Sequence, residues 1–292
     1  MAWAAIVASV HMGFLRAFIQ GVEHTVPRFF YYCCLGTGWQ PIVLTMNYNE
    51  QLNALFEVWK KESEKYNEQR EATDEANIIF TEDGILEKGD KYAIDVEAAW
   101  HNSAKRILFI LKDQPTEWCN DARLWLKEER NQNLQNRFIR NIANIFWGLY
   151  SSDKNNLCTY DSLIHQREQV QQCFNINPFA LIESKKQGGG TSISNTTLIK
   201  YLKRYGDLLS KEIDILNPNM IVCTSPIIYD FVCKRYGQDN LERIDPVEHN
   251  SIRIHRPSKT LIFCSYHPSA RKSEQCIYEG VMDHYRAFLL SE

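Results

Sequence analysis

Four short apolar runs constrain this chain more than any other feature: Ile107–Leu111 (ILFIL), Phe179–Ile182 (FALI), Met220–Cys223 (MIVC) and Thr260–Cys264 (TLIFC). None alternates apolar with polar residues, so each reads as a strand covered on both faces, the pattern of a parallel sheet. Helical patterns lie between them. Leu134, Phe138, Ile142, Ile145 and Leu149 form one apolar stripe, and Leu198, Leu202, Tyr205, Leu208, Leu209 and Ile213 form another. The second stripe stops at Asn217-Pro218-Asn219, a helix end placed directly before a strand. Strands alternating with helices predict an α/β fold, a three-layer α/β/α arrangement around a central, mainly parallel, four-stranded sheet.

Upstream, Leu52, Leu55, Phe56 and Trp59 recur at helical spacing, and a short apolar run follows at Ile78-Ile79-Phe80. Residues 49–98 hold 14 acids against 6 bases, whereas residues 99–292 hold 25 bases against 21 acids. The overall charge of −3 excludes a wholesale polyanion binder but leaves room for a local basic groove. Three divisions are therefore expected: an atypical extension over 1–45, an acidic helical segment over 46–100 packed on the core, and the α/β domain over 101–292. The first 45 residues carry only Arg16, Glu23 and Arg28 as charges, and Ala2–Val10 is too short to span a bilayer. Met46 is the expected native start. Nine cysteines lie scattered without a CxxC pair, several inside apolar runs, as reduced buried thiols do. The expectation is a cytoplasmic protein with no disulfide framework, no bound metal and no membrane attachment.

In sheets of this kind ligands sit beyond the carboxyl ends of the strands. After ILFIL come Lys112, Asp113, Gln114, Pro115, Thr116, Glu117 and Trp118. Asp113 reads either as a helix cap or as a chemical group. Around FALI lie Asn175 and Asn177 upstream, then Lys185, Lys186 and the triplet Gly188-Gly189-Gly190. The triplet reads as a flexible turn or as a backbone cradle for a phosphate. After TLIFC comes Ser265-Tyr266-His267-Pro268-Ser269-Ala270-Arg271, either a plain loop or a strand-end site.

These residues resemble the uracil-DNA glycosylase superfamily over roughly residues 105–290. In that superfamily a strand of the VLFVG type runs into Gly-Gln-Asp-Pro-Tyr or Gly-Glu-Ala-Pro-Gly, and ILFILKDQP has this shape with Pro115 on the motif proline. A late strand ends in His-Pro-Ser or His-Pro-Ala, as YHPSAR does here. The chain departs from the pattern in two places: Lys112 stands where glycine is usual, and Gln114 occupies the position of the catalytic Asp of the uracil-specific branch. Asp113 falls on the Gln of that branch or on the Glu of the other. The cysteine set of the iron–sulfur branch is absent.

The resemblance implies base flipping and hydrolysis of an N-glycosidic bond in DNA. Cleavage develops positive charge on the sugar and negative charge on the departing base, which suits a carboxylate and a histidine donor, here Asp113 and His267. Amides present a donor and an acceptor, so Gln114 and Asn177 are expected to read the base. Trp118 is expected to stack on it; Trp125, between two leucines, reads first as core. Lys112, Lys185, Lys186, Ser269 and Arg271 are expected on phosphates, whereas Lys200, Lys203 and Arg204 also fit a solvated helix face. DNA is the expected partner of a monomer without cofactors. The altered motif leaves room for uracil or a modified pyrimidine, and a modified base in phage DNA would suit a defence role. A nucleic-acid-binding module that has lost catalysis is the alternative. An α/β hydrolase ranks last, for want of a Gly-x-Ser-x-Gly pattern.

Overall fold

The computed structural model describes residues 29–35, 38–44, 47–67, 80–115, 121–189, 193–244 and 251–292. The chain divides into two units between Asn47 and Tyr48. In the first, β1 (Phe29–Leu35) pairs antiparallel with β2 (Gly38–Leu44).

The second unit opens with α1 (Tyr48–Asn67), β3 (Gly84–Ile85) and α2 (Val96–Asn102). Next come β4 (Ile107–Pro115), a 3-10 turn over Ala122–Lys127, α3 (Glu129–Gln132), α4 (Arg137–Ser151), α5 (Tyr160–His165) and α6 (Arg167–Ile176). The later half holds β5 (Ala180–Gly189), α7 (Asn195–Leu216), β6 (Met220–Cys223), α8 (Pro226–Tyr236), β7 (Leu241–Arg243), β8 (Ile252–His255), β9 (Thr260–Cys264) and α9 (Glu274–Ser291).

One sheet runs through this unit in the order β3-β5-β4-β6-β9-β8-β7. The expected four-stranded sheet is thus corrected to seven. The four apolar runs do form its parallel centre, β5-β4-β6-β9. Antiparallel strands extend both edges, β3 beside β5 and the β8–β7 pair beside β9. These additions are two to four residues long and mostly sit between polar turns, too short to give a periodic signal.

Strand alternation sorts the core into two clusters. Ile107, Phe109 and Leu111 of β4 face the side covered by α4, α6 and α9, with Phe146, Phe174, Phe179 and Tyr278 fully buried there. Leu108 and Ile110 face the side covered by α1, α2, α7 and α8, with Phe56, Trp59 and Trp100 fully buried. Helices thus lie on both faces. The chain leaves β4 through α4–α6 on the first face to reach β5, then crosses back through α7 on the other to reach β6. The order in which the parallel strands are added reverses between β4 and β6, from β4 to β5 on one side and from β6 to β9 on the other, the switch point where open α/β sheets bind ligands.

Local chemistry fixes the ends. Asn217 takes the left-handed conformation (φ 44°, ψ 56°) that closes α7, a role Asn tolerates well. Asn219 then accepts from the Arg106 amide at 2.8 Å and donates to the Ala104 carbonyl at 2.7 Å, tying the starts of β4 and β6 together. Lys105 donates to the carbonyls of Leu149 and Tyr150 at 2.9 and 3.0 Å, satisfying the end of α4.

Candidate active site at the carboxyl edge of the sheet

The strand–loop boundary after β9 is held from two sides. The Ser265 amide donates to the Cys223 carbonyl at 2.8 Å, extending the β6–β9 pairing by one rung. From α4, Asn141 donates to the Pro268 carbonyl at 2.7 Å, and Arg137 donates to the carbonyls of Ala270 and Lys272. The His-Pro-Ser turn is therefore anchored by its backbone, leaving the His267 ring to its own contacts.

That ring lies 5.8 Å from the Phe138 ring, tilted by 35°. Its Nδ1 accepts the Ser269 amide at 3.2 Å. An accepting Nδ1 is unprotonated, so the ring's proton sits on Nε2, which is a donor. Burial, and then the charge of Lys112, push His267 down to about 4, so it is neutral at neutral pH.

On β4, alternation puts Asp113 on the same face as Leu111, and it faces Lys185 of β5 at 3.8 Å. Burial raises Asp113 above the usual carboxylate range, against the pull of Lys185 and Lys112. The β4–β5 register slips between Asp113 and Pro115. Such irregularities re-aim side chains next to functional sites. Gln114, buried here, lines a small cleft together with Leu111, Ala122, Trp125, Phe138, Leu181 and Glu183. The cleft is small, with about 10 Å³ open to the centre of a water molecule, room for about one water. Trp125 and Phe138 meet edge to face, 5.8 Å between centroids, as one aromatic wall.

The sequence expectations fare unequally. Asp113, Gln114 and His267 stand along the carboxyl edge of the sheet on β4 and after β9, with β6 between; Phe138 links the cleft that Gln114 lines to the His267 ring. Lys112 is half-buried there, and Ser269 and Arg271 are exposed on the loop after β9. Asn177 does not join them. It caps the end of α6, donates to the Cys173 carbonyl at 3.0 Å and precedes β5, so it lies at the opposite, amino end of the strands. Trp118 lies outside the described residues.

The two lysines separate because β5 runs on to Gly189 instead of ending at Ile182. Consecutive strand residues point to opposite faces. Lys185 turns to the Asp113 face as its counter-ion. Lys186 enters the other core, fully buried, where it meets Asp83 at 2.5 Å and Glu212 at 2.8 Å. It cannot reach a phosphate, and that expectation is withdrawn. Gly188 and Gly189 likewise form no turn at the end of FALI, since both belong to the strand, and Gly190 lies outside the described residues.

Two cleft residues went unread in the sequence. Phe138 was absorbed into the α4 stripe, although as the second residue of the helix it sits at the sheet's carboxyl edge. Glu183 directly follows an apolar run at the parity of Leu181, and that parity is the signal that would have placed it in the cleft. Neither a comparison with protein-family models nor one with curated proteins finds a match for the chain. Among the described residues no helix is long and apolar enough to cross a membrane, and Cys158, Cys173, Cys223, Cys233, Cys264 and Cys276 carry free thiols.

Proposed function

We propose that the chain is a DNA glycosylase: it takes a base out of the helix and hydrolyses its N-glycosidic bond, leaving an abasic site. The observation that carries this reading is the presence of a carboxylate, Asp113, and a neutral histidine donor, His267, at the carboxyl ends of two strands of one parallel sheet. As the C1′–N bond breaks, its electron pair leaves with the base, and Nε2–H of His267 stabilises the negative charge that collects there. Water forms the new bond to C1′ and gives its proton to Asp113, whose raised affinity for protons makes it the better base. Gln114 offers a donor and an acceptor to the base. Lys112, Ser269 and Arg271, outside the cleft, suit the flanking phosphates.

Uracil or a modified pyrimidine is the substrate class, and the change at the motif position held by Gln114 favours a base other than uracil. The test uses duplex and single-stranded oligonucleotides carrying uracil, hydroxymethylcytosine or glucosylated cytosine. Alkali then cleaves at abasic sites. Scission is expected with at least one of them and is lost in His267→Ala and Asp113→Asn. No scission on any substrate sinks the reading. Gln114 in place of an acid also supports a second one, a binding module without catalysis. In that case both variants bind DNA like the parent, while Lys112→Ala with Arg271→Ala weakens binding and flattens its salt dependence.

A further inference from the structure

The acidic stretch before β4 lies outside the family resemblance, yet it holds a buried arginine in the turn that follows β4. Arg123 stands in the chain between Ala122 and Trp125, two residues of the cleft wall. All five of its side-chain N–H groups find acceptors. Nε and Nη2 donate to the two oxygens of Asp121 at 2.8 and 2.7 Å, a bidentate pair within its own turn. Nη2 also donates to Glu82 at 2.9 Å. Nη1 donates to two amides of α1, Asn53 at 2.7 Å and Asn49 at 3.4 Å.

The backbone repeats these links. The Ala122 amide donates to the Glu82 carbonyl and the Glu87 amide to the Arg123 carbonyl, each at 2.7 Å. Lys127 meets Glu87 at 2.5 Å. Residues 82–87 are in turn fixed to the sheet, since Gly84 and Ile85 pair with Leu181 and Ala180 of β5. A 3-10 turn has poorer hydrogen bonds than an α-helix and seldom holds its own shape, so these outside contacts matter to it. What the turn carries is the Trp125 ring, packed edge to face on Phe138, which lies against the His267 ring.

We propose that Arg123 is a positioning residue, through which the acidic segment fixes the turn after β4 and with it the Trp125–Phe138 pair that borders His267. Its rigid, planar fork reaches two carboxylates and two amides at once, which the compact ammonium of a lysine does not reproduce. The acidic segment is then a working part of the site and not only a cover for the sheet. The inference rests on the glycosylase reading for the reaction it serves, whereas the positioning is a property of the folded chain alone.

The test compares the isotope-labelled full chain with Arg123→Lys, Arg123→Gln and Asn53→Ala. Asn53→Ala removes one acceptor at an exposed position of α1 and keeps the inference testable if the Arg123 variants do not fold. NMR follows the Trp125 indole N–H, assigned with Trp125→Phe, and the hydrogen exchange of the Ala122 and Glu87 amides. In Arg123→Gln the Trp125 signal is expected to move, and the two amides to exchange faster by about tenfold or more. The amides of β6 and β9 exchange as in the parent. Single-turnover abasic-site formation slows by about tenfold or more while DNA affinity is kept. Arg123→Lys does not rescue the rate, and Asn53→Ala gives a smaller change of the same kind. The inference is overturned if a folded variant keeps the parent's Trp125 signal and amide exchange. Exchange that rises equally across the whole sheet also overturns it, since that marks a general loss of stability. So does an unchanged rate in a variant whose Trp125 signal has moved. A parent that makes no abasic sites ends the glycosylase reading instead, and the Trp125 signal and amide exchange then decide the inference by themselves.

Discussion

At the scale of single residues, His267 shows how one backbone hydrogen bond sets a chemical role. The Ser269 amide occupies Nδ1 and burial resists protonation, so the ring is held as the Nε2–H tautomer. A neutral donor suits an anion that forms only in the transition state, because no proton has to be removed from or returned to it at rest. Removing a single such donor typically lowers kcat by about 10²–10³-fold. We expect a loss of that size in His267→Ala with little change in KM, read from single-turnover abasic-site formation. The pH profile separates the two groups. In the proposed hydrolysis Asp113 must be ionised to accept the water proton and its affinity is raised, so the rate is expected to fall on acidification through a limb above the usual aspartate range. His267 stays neutral until about pH 4. The Asp113→Asn variant is therefore slow and has no limb, and an unchanged profile in that variant removes Asp113 from the base role. Stability has its own sign. The folded chain refuses a proton at His267 that the unfolded chain takes up near pH 6.5. The contribution is thus present above about pH 6.5 and lost as pH falls toward 4. Thermal melts of His267→Ala should show a weaker pH dependence in that window.

Among the elements, β5 separates what could be read in the sequence from what could not. Its first half is apolar and was legible. Its second half, Glu183-Ser184-Lys185-Lys186-Gln187-Gly188-Gly189, reads as a loop by every composition rule, yet it continues the strand. The reason lies in its partners. Ser184 donates to the Leu111 carbonyl at 2.6 Å, Lys185 faces Asp113, and Lys186 meets two carboxylates brought from the loop before β3 and from α7. A polar strand is stable where other elements supply its hydrogen bonds, and no local pattern reveals those elements. Lys186 also has the rings of Phe56 and Trp59 within 5.4 and 5.3 Å, so its ammonium bridges β5, α1 and α7. Burial acts to neutralise it, but Asp83 and Glu212 outweigh that and keep it charged, while Glu212 is itself raised by burial and by Asp83. Replacing Lys186 by Met leaves two buried carboxylates without a cation. Breaking a buried pair in this way is destabilising by about 3–5 kcal/mol. Urea denaturation at neutral pH should show a loss of that order, shrinking on acidification as the carboxyls take up protons. A variant as stable as the parent would mean that water or rearrangement supplies the missing partner. DNA binding by whatever variant still folds should match the parent, since Lys186 touches no surface.

For the whole molecule, the alternation of apolar runs with helical stripes carried the α/β class and the four parallel strands. It could not carry the three antiparallel strands, whose two to four residues are specified by edge pairing alone. Nor could it tell the two ends of β5 apart, which misplaced Asn177, or see that β4 runs on past Leu111 to Pro115, whereas the end of β9 at Cys264 was marked by turn residues and matches. The acidic stretch after residue 48 supplies the clearest prediction at this scale. Its α1 buries Leu52, Phe56 and Trp59 completely in the core shared with α7, and α2 buries Trp100, whose Nε1 donates to the Leu216 carbonyl at 2.9 Å. The start of α1 is satisfied from inside the same unit, because the Glu97 carboxylate accepts the amides of Tyr48 and Asn49 at 3.1 Å each. A chain reduced to residues 46–292 therefore keeps every one of these contacts, and we expect it to unfold in a single transition within a few degrees of the full chain. A cut at residue 100 removes α1, α2 and β3 together and uncovers Ile110, Ile182 and Leu209 on that face of the sheet. At about 25 cal/mol per Å² of apolar surface returned to water, losing three buried tryptophan and phenylalanine side chains exceeds the whole stability of an ordinary domain once their aliphatic neighbours are included. Differential scanning calorimetry of the two truncations decides the matter. Cooperative melting of 101–292 alone would show that the acidic segment is an accessory, and loss of the transition in 46–292 would place part of the core before Tyr48.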